Sequence, residues 1–267
     1  MPPPPPAAGR DARNRAFRAR ALGGAQLFGT FLQMGSPVSA DVCAGAGFDW
    51  CLVDLEHGLG AEAALLAELM ALELGGAAAI VRVESGAPLR IGRALDLGAA
   101  GLMVPRVRSA TEAAGAVEGL RYPPEGGRGV ALSARSAGYG LTPHDGLPAV
   151  NAGITTMIQI ENEPALADAA AIASVDGVDV LFVGPNDLTH SLGIPGRFDE
   201  PVYREAIAEV GRACAAAGKA AGILLRSPED LDEHLALGYS VFALLSDSGL
   251  LARSARAALA ALRGPRG

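Results

Sequence analysis

"LGGAAAIV", residues 74–81, reads as a helix end, a glycine pair and a buried strand. The same junction recurs as "LGAAGLMV" (97–104), "AGKAAGIL" (217–224) and "LGYSVFAL" (237–244). Glycine suits the left-handed residue that closes a helix, and the apolar run after it suits a strand covered on both faces. Working outward from these junctions gives eight apolar runs: 26–32, 50–55, 78–83, 101–105, 155–161, 179–185, 220–225 and 240–246. Helical patterns lie between them. "EAALLAELMALEL" (62–74) is apolar on a 3.6-residue period, and "SPEDLDEHLALG" (227–238) opens with a serine cap and an early proline. Strand–helix alternation repeated eight times predicts an α/β fold, a single-domain (β/α)8 TIM barrel over 23–267. A doubly wound open sheet is the other arrangement such alternation allows. No GxGxxG follows the first strand, which weakens its dinucleotide-binding version.

Composition bounds the function. The 267 residues are 50% hydrophobic, enough for a large core, and the net charge of −7 with no long basic run argues against nucleic acid. No apolar stretch is long enough for a membrane span. Cys43, Cys51 and Cys214 lack a CxxC spacing, which points to a reducing, cytoplasmic setting and away from thiolate zinc. The Pro- then Arg-rich start lacks the apolar core of a secretory signal. Residues 1–22 read as a disordered lead-in or a helical extension. The segment 122–153 is Gly- and Pro-rich and weakly periodic, which suggests a functional or mobile loop, with "RGVAL" (128–132) a possible extra strand.

In a (β/α)8 barrel the active face lies at the C-terminal ends of the strands. There this chain places Asp54, Glu56 and His57 after the second strand, Arg82 at the third, Gln159 and Glu161 at the fifth, and Asp187 after the sixth. Each has a plain structural reading. Asp54, Glu56 and Asp187 suit helix capping, His57 a packed or surface position, Arg82 an ion pair, and Glu161 a backbone contact. Five such readings would have to coincide at one rim. Taken together, two carboxylates offer an oxygen site for a divalent cation such as Mg2+, with positions left for substrate. An arginine beside it suits a carboxylate in a bidentate pair. A 2-oxo acid satisfies both, and His57 suits proton transfer near neutrality. Lysine occurs once, at Lys219, before the seventh strand and so at the wrong rim for a Schiff-base aldolase.

The motifs "AGFDWCLVDLEHG", "VRVE", "LDLGAAGLMVPRV", "RYPPEGGRGV", "IQIEN", "GVDVLFVGPNDL" and "GKAAGIL" resemble the HpcH/HpaI aldolase family of metal-dependent class II pyruvate aldolases, over about residues 25–263. The resemblance implies reversible cleavage of a 4-hydroxy-2-oxo acid to pyruvate and an aldehyde through a metal-stabilised enolate. Oxaloacetate decarboxylation would share that enolate. It implies Glu161 and Asp187 as ligands of Mg2+, Mn2+ or Co2+, and no Schiff-base lysine. Arg82 would anchor the pyruvyl carboxylate, and His57 would be the acid/base residue. Asp96 would partner that histidine from a neighbouring subunit, and Asp54 would line the pocket. Gln159, Gly184 and Pro185 would form the substrate rim. Glu56 receives no direct chemistry. The resemblance further implies a homo-oligomer, a trimer or hexamer with exchanged C-terminal helices. Leu55 stands where the family pattern more often has glycine, and Val83–Gly86 replaces a Pro–Trp/Gly–Asn type turn. A citrate-lyase-β-like acyl-CoA lyase and a non-catalytic metabolite-binding barrel are the competing readings.

Overall fold

The computed structural model describes residues 9–60 and 62–264. Eight parallel strands close into a barrel in chain order: β1 (Leu27–Leu32), β2 (Trp50–Asp54), β3 (Ala78–Arg82), β4 (Gly101–Val104), β5 (Thr155–Ile160), β6 (Val180–Val183), β7 (Ala220–Leu225) and β8 (Tyr239–Ser246). Closure comes from pairing of β1 with β8, with Leu27 opposite Val241 and Phe28 opposite Phe242. An open doubly wound sheet is thereby excluded. The helices are α1 (Arg10–Leu22), α2 (Pro37–Gly45), α3 (Glu62–Gly75), α4 (Pro88–Asp96), α5 (Ala110–Leu120), α6 (Leu147–Asn151), α7 (Glu163–Ala167), α8 (Ala169–Ala173), α9 (Pro185–Ser191), α10 (Pro201–Ala217), α11 (Leu231–Ala236) and α12 (Asp247–Arg263).

Strand period two sorts the core into two layers. Phe31, Trp50, Leu52, Ile80, Met103, Met157, Val180, Phe182 and Val241 fill the barrel interior. Cys51, Val53, Val81, Leu102, Ile158 and Leu181 face the helices. Gly29 stands opposite Trp50 in the ladder, and a Cβ there would come within 2.4 Å of the indole. The interior register carries past the last apolar residue of each strand, so Trp50–Leu52 leads to Asp54, Ile80 to Arg82, and Met157 to Gln159. The polar cluster is the top layer of the barrel filling.

Two expectations change. Of the Pro/Arg-rich start, residues 10–22 form α1, which places Phe17 and Ala21 in the interior layer at the N-terminal end of the barrel. The part of that lead-in before residue 9 lies outside the described residues. Arg18 fixes α1 by pairing with buried Asp179 through Nε and Nη2, both at 2.9 Å, and Asp179 also accepts the Thr156 N–H. The 122–153 segment contains no extra strand; "RGVAL" is irregular backbone. It follows α5, so it lies at the end of the barrel away from the polar cluster. It is pinned there by Asn151, which accepts the Tyr122 N–H and donates to the Tyr122 carbonyl. Buried Arg128 lies 4.2 Å from the Tyr122 ring centre. The three cysteines are buried and free. Among the described residues, no helix is long and apolar enough to cross a membrane.

Removing Arg18 leaves the Asp179 charge buried with one backbone donor. Because Arg18 retains some solvent contact, Arg18→Ala should cost about 3 kcal/mol, the low end for an orphaned buried ion-pair partner. Urea unfolding of the variant beside the wild type measures it.

Candidate active site

The centre of the cluster is a saturated ion pair. Asp54 and Arg82 are register partners at the ends of β2 and β3. Arg82 donates to Asp54 through Nε at 2.9 Å and Nη2 at 2.7 Å. Asp54 also accepts from Gln33 Nε2 (3.1 Å) and from the N–H groups of Glu56 (3.1 Å) and His57 (3.2 Å). Burial pushes the Asp54 carboxyl up, but the Arg82 hydrogen bonds outweigh it and hold the pKa below the ordinary value. Burial likewise works against the Arg82 charge, and Asp54, Glu56 and Glu161 raise its pKa regardless. Both groups therefore stay ionised.

This corrects two sequence expectations. Asp54 does not cap a helix; it closes the turn that carries Glu56 and His57. Arg82 is not free to grip a substrate through its Nε edge, because Asp54 occupies that edge. Its Nη1 lies 3.4 Å from Glu56 Oε2. Glu56, given no role from sequence, is a hub: it also faces His57 Nε2 at 3.8 Å and accepts from Arg106 Nε at 2.8 Å. His57 itself is about half exposed.

Glu161 follows β5 and is buried, with a pKa raised to about 7. Burial is the main cause, opposed by the N–H of Arg106 at 2.6 Å, with Asp187 and Glu56 adding repulsion. Arg106 adopts a left-handed φ of +60°, and it is its backbone N–H that Glu161 accepts. Asp187 sits in the first turn of α9, whose N-cap is Gly184. A Cβ at Gly184 would lie 2.7 Å from Gln159 Nε2 and 3.2 Å from Glu161 Oε2, so glycine permits the close approach of this loop. Gln159 Oε1 is buried without a partner.

These residues border two adjoining cavities. The inner one, about 140 Å3, includes Gln33, His57, Arg82, Gln159, Gly184 and Asp187 in its lining. The outer, about 340 Å3, is bounded by Glu56, His57, Arg106, Arg108, Glu161, Asn162 and Asp187. The oxygen donors fit a hard cation. Glu161 holds a buried carboxylate that nearby cations do not neutralise, with Asp187 beside it and a spare Gln159 oxygen in the same cradle. Among the described residues, no three His, Cys, Asp or Glu side chains cluster with metal-ligand geometry, so protein ligation would rest on the two carboxylates.

Residues 27–254 match the HpcH/HpaI aldolase/citrate lyase family. The chain belongs to this family. The 5-keto-4-deoxy-D-glucarate aldolase of Klebsiella pneumoniae is 37% identical over 244 residues, 91% of this chain and 94% of the relative. The hydroxypyruvate/pyruvate aldolase of Deinococcus radiodurans is 39% identical over 254 residues, 95% of this chain and 91% of the relative. The crystal structure of an HpcH/HpaI aldolase/citrate lyase family protein from Burkholderia cenocepacia superposes with a TM-score of 0.89 at 34% identity, covering 94% of this chain and all of that one. The protein is accordingly an enzyme of the aldolase class, a carbon–carbon lyase.

Asp96, expected beside the histidine, ends α4 at the opposite rim of its own chain and pairs with Arg128 Nη2 at 2.6 Å. In this HpcH/HpaI chain the carboxylate that faces His57 is Glu56. Sequence reading missed Gln33 and Arg106, although both follow strand ends and the strand-end rule applies to them equally.

Asp247 anchors the loop that bears Gln33, accepting the Gln33 and Met34 N–H groups and the Ser39 hydroxyl. Below it, buried Glu68 has no hydrogen-bond partner on either oxygen, and burial with repulsion from Asp247 raises its pKa to about 7. A carboxyl raised on folding favours the fold at pH below its unfolded pKa, and that advantage is lost as pH rises through 7. Glu68→Gln should therefore stabilise the protein by about 2–3 kcal/mol at pH 8 and by little at pH 4. Thermal melts across that range measure the convergence.

Proposed function

We propose that the protein cleaves a 4-hydroxy-2-oxo acid reversibly to pyruvate and an aldehyde, and that oxaloacetate loses carbon dioxide at the same site. The observation that carries this reading is the convergence, on one cavity, of a fixed guanidinium and a buried, uncompensated carboxylate. Glu161 and Asp187 would hold a divalent cation, Mg2+ or Mn2+. When bound, that ion supplies Lewis-acid polarisation of the 2-oxo carbonyl.

The chain's own residues do the rest. Arg82, held by Asp54, offers its Nη1/Nη2 end to the substrate carboxylate and favours the negative charge that develops at C3 when the C3–C4 bond breaks. His57 Nε2 takes the proton of the 4-hydroxyl as that bond breaks, and Glu56 orients the ring. Gln159 and the backbone at Gly184 and Pro185 border the 2-oxo end. Lys219 immediately precedes β7, at the far rim, which supports a route without a lysine imine. Asp96 reaches a His57 only from a neighbouring copy. Leu251, Leu259 and Leu262, exposed along α12, support a homo-oligomer in which that helix is covered.

The test is pyruvate release from 4-hydroxy-2-oxo acids and oxaloacetate, with Mg2+, with Mn2+ and with EDTA, in wild type and Glu161→Ala. Release should stop in EDTA and fall roughly a thousandfold in the variant, the several kcal/mol that carbonyl polarisation contributes. No release from any substrate by folded protein would overturn the reading.

A further inference from the structure

The outer cavity holds two arginines that this reaction does not use. Arg106 and Arg108 follow β4 and line it together with His57 and Asp187. His57 and Asp187 also line the inner cavity, so the two spaces join there. The loop bearing the arginines is fixed. Asn162 Nδ2 donates to the Val107 carbonyl at 3.0 Å, Glu112 accepts the Arg108 N–H at 2.8 Å, and Asp168 accepts the Ala110 N–H at 2.6 Å.

The charges of this mouth do not balance. Arg106 pairs with Glu56, which Arg82 also faces. The Arg108 guanidinium has no hydrogen-bond or ion-pair partner among the described residues, and its loop backbone is rigid. Two guanidiniums against one shared carboxylate leave a surplus positive charge at the outer end of the cavity. A substrate whose 2-oxo acid head lies against Arg82, Glu161 and Asp187 carries C4 past His57, and its tail then enters the outer space.

We propose that Arg106 and Arg108 form a subsite for a terminal carboxylate on the aldehyde portion, so that the enzyme selects 4-hydroxy-2-oxo dicarboxylates over monocarboxylates of the same length. The placement of the head rests on the aldolase reading above. A carboxylate suits the surplus because it is a monoanion and accepts a planar guanidinium through two oxygens. Selection follows because a tail lacking the anion leaves Arg108 unmatched, and polar sites discriminate strongly against substrates that lack the matching group.

Arg108 is the residue to change, since Arg106 also supports Glu161 through its backbone. Calorimetric titration with 2-oxoadipate and with 2-oxohexanoate, in Mg2+, compares equal chains with and without the terminal carboxylate. Wild type should bind 2-oxoadipate at least about tenfold more tightly, as expected for a charge-assisted hydrogen bond. The ratio should approach one in Arg108→Ala and fall below one in Arg108→Glu. Equal affinities in wild type, no binding of either acid, or a preference that survives Arg108→Glu would overturn the subsite. Pyruvate release by the same preparations separates the two claims. Preference without release leaves the subsite and removes the reaction; release without preference removes the subsite alone.

Discussion

The buried Asp54–Arg82 pair is the constraint on which the rim depends. A buried ion pair is tolerated only when nearly every donor and acceptor is used, because desolvating two charges costs several kcal/mol each. Here β2 and β3 deliver the two residues in register, and Gln33 and the Glu56 and His57 N–H groups fill the remaining lone pairs of Asp54. Meeting that requirement fixes three further things: the Gln33 loop after β1, the turn that presents Glu56 and His57, and the orientation of the Arg82 guanidinium.

The rim is thus divided. One side, around Asp54, is electrically complete and rigid. The other, around Glu161 and Asp187, carries negative charge that the protein leaves uncompensated, at a cost visible in the Glu161 carboxyl being raised to about 7. Glu56 connects the two sides through Arg82, His57 and Arg106. An assembly with a preset cation on one side and a vacant demand for positive charge on the other suits a substrate that develops negative charge between them. The barrel supplies the rigidity, and the strand ends supply the chemistry.

All eight strands were legible because apolar runs bounded by helix-closing glycines are local signals. The inward-facing polar residues at their ends were legible for the same reason: strand period two carries the interior register from Trp50 to Asp54 and from Met157 to Glu161. What was not legible depends on distance in sequence. Composition suggests a disordered tail for residues 10–22, but Phe17 and the Arg18–Asp179 pair, 161 positions apart, make them the floor of the barrel. The 122–153 segment looked like an active-site loop because weak periodicity says nothing about which rim a loop occupies. Arg82 could be read as a substrate anchor or an ion-pair partner, and only the geometry shows that it is committed on one edge and open at the other. The hub position of Glu56 likewise depends on Arg106, fifty residues away.

The most direct test of the account is the rate at which the pyruvate methyl protons exchange with deuterium, followed by proton NMR in Mg2+, in wild type and Asp54→Asn. Enolate formation alone is read, without any aldehyde. If Asp54 sets the working geometry of Arg82, exchange falls about a hundredfold in a variant whose circular dichroism still shows the folded barrel. Exchange at the wild-type rate in that folded variant would contradict the claim that this pair organises the site.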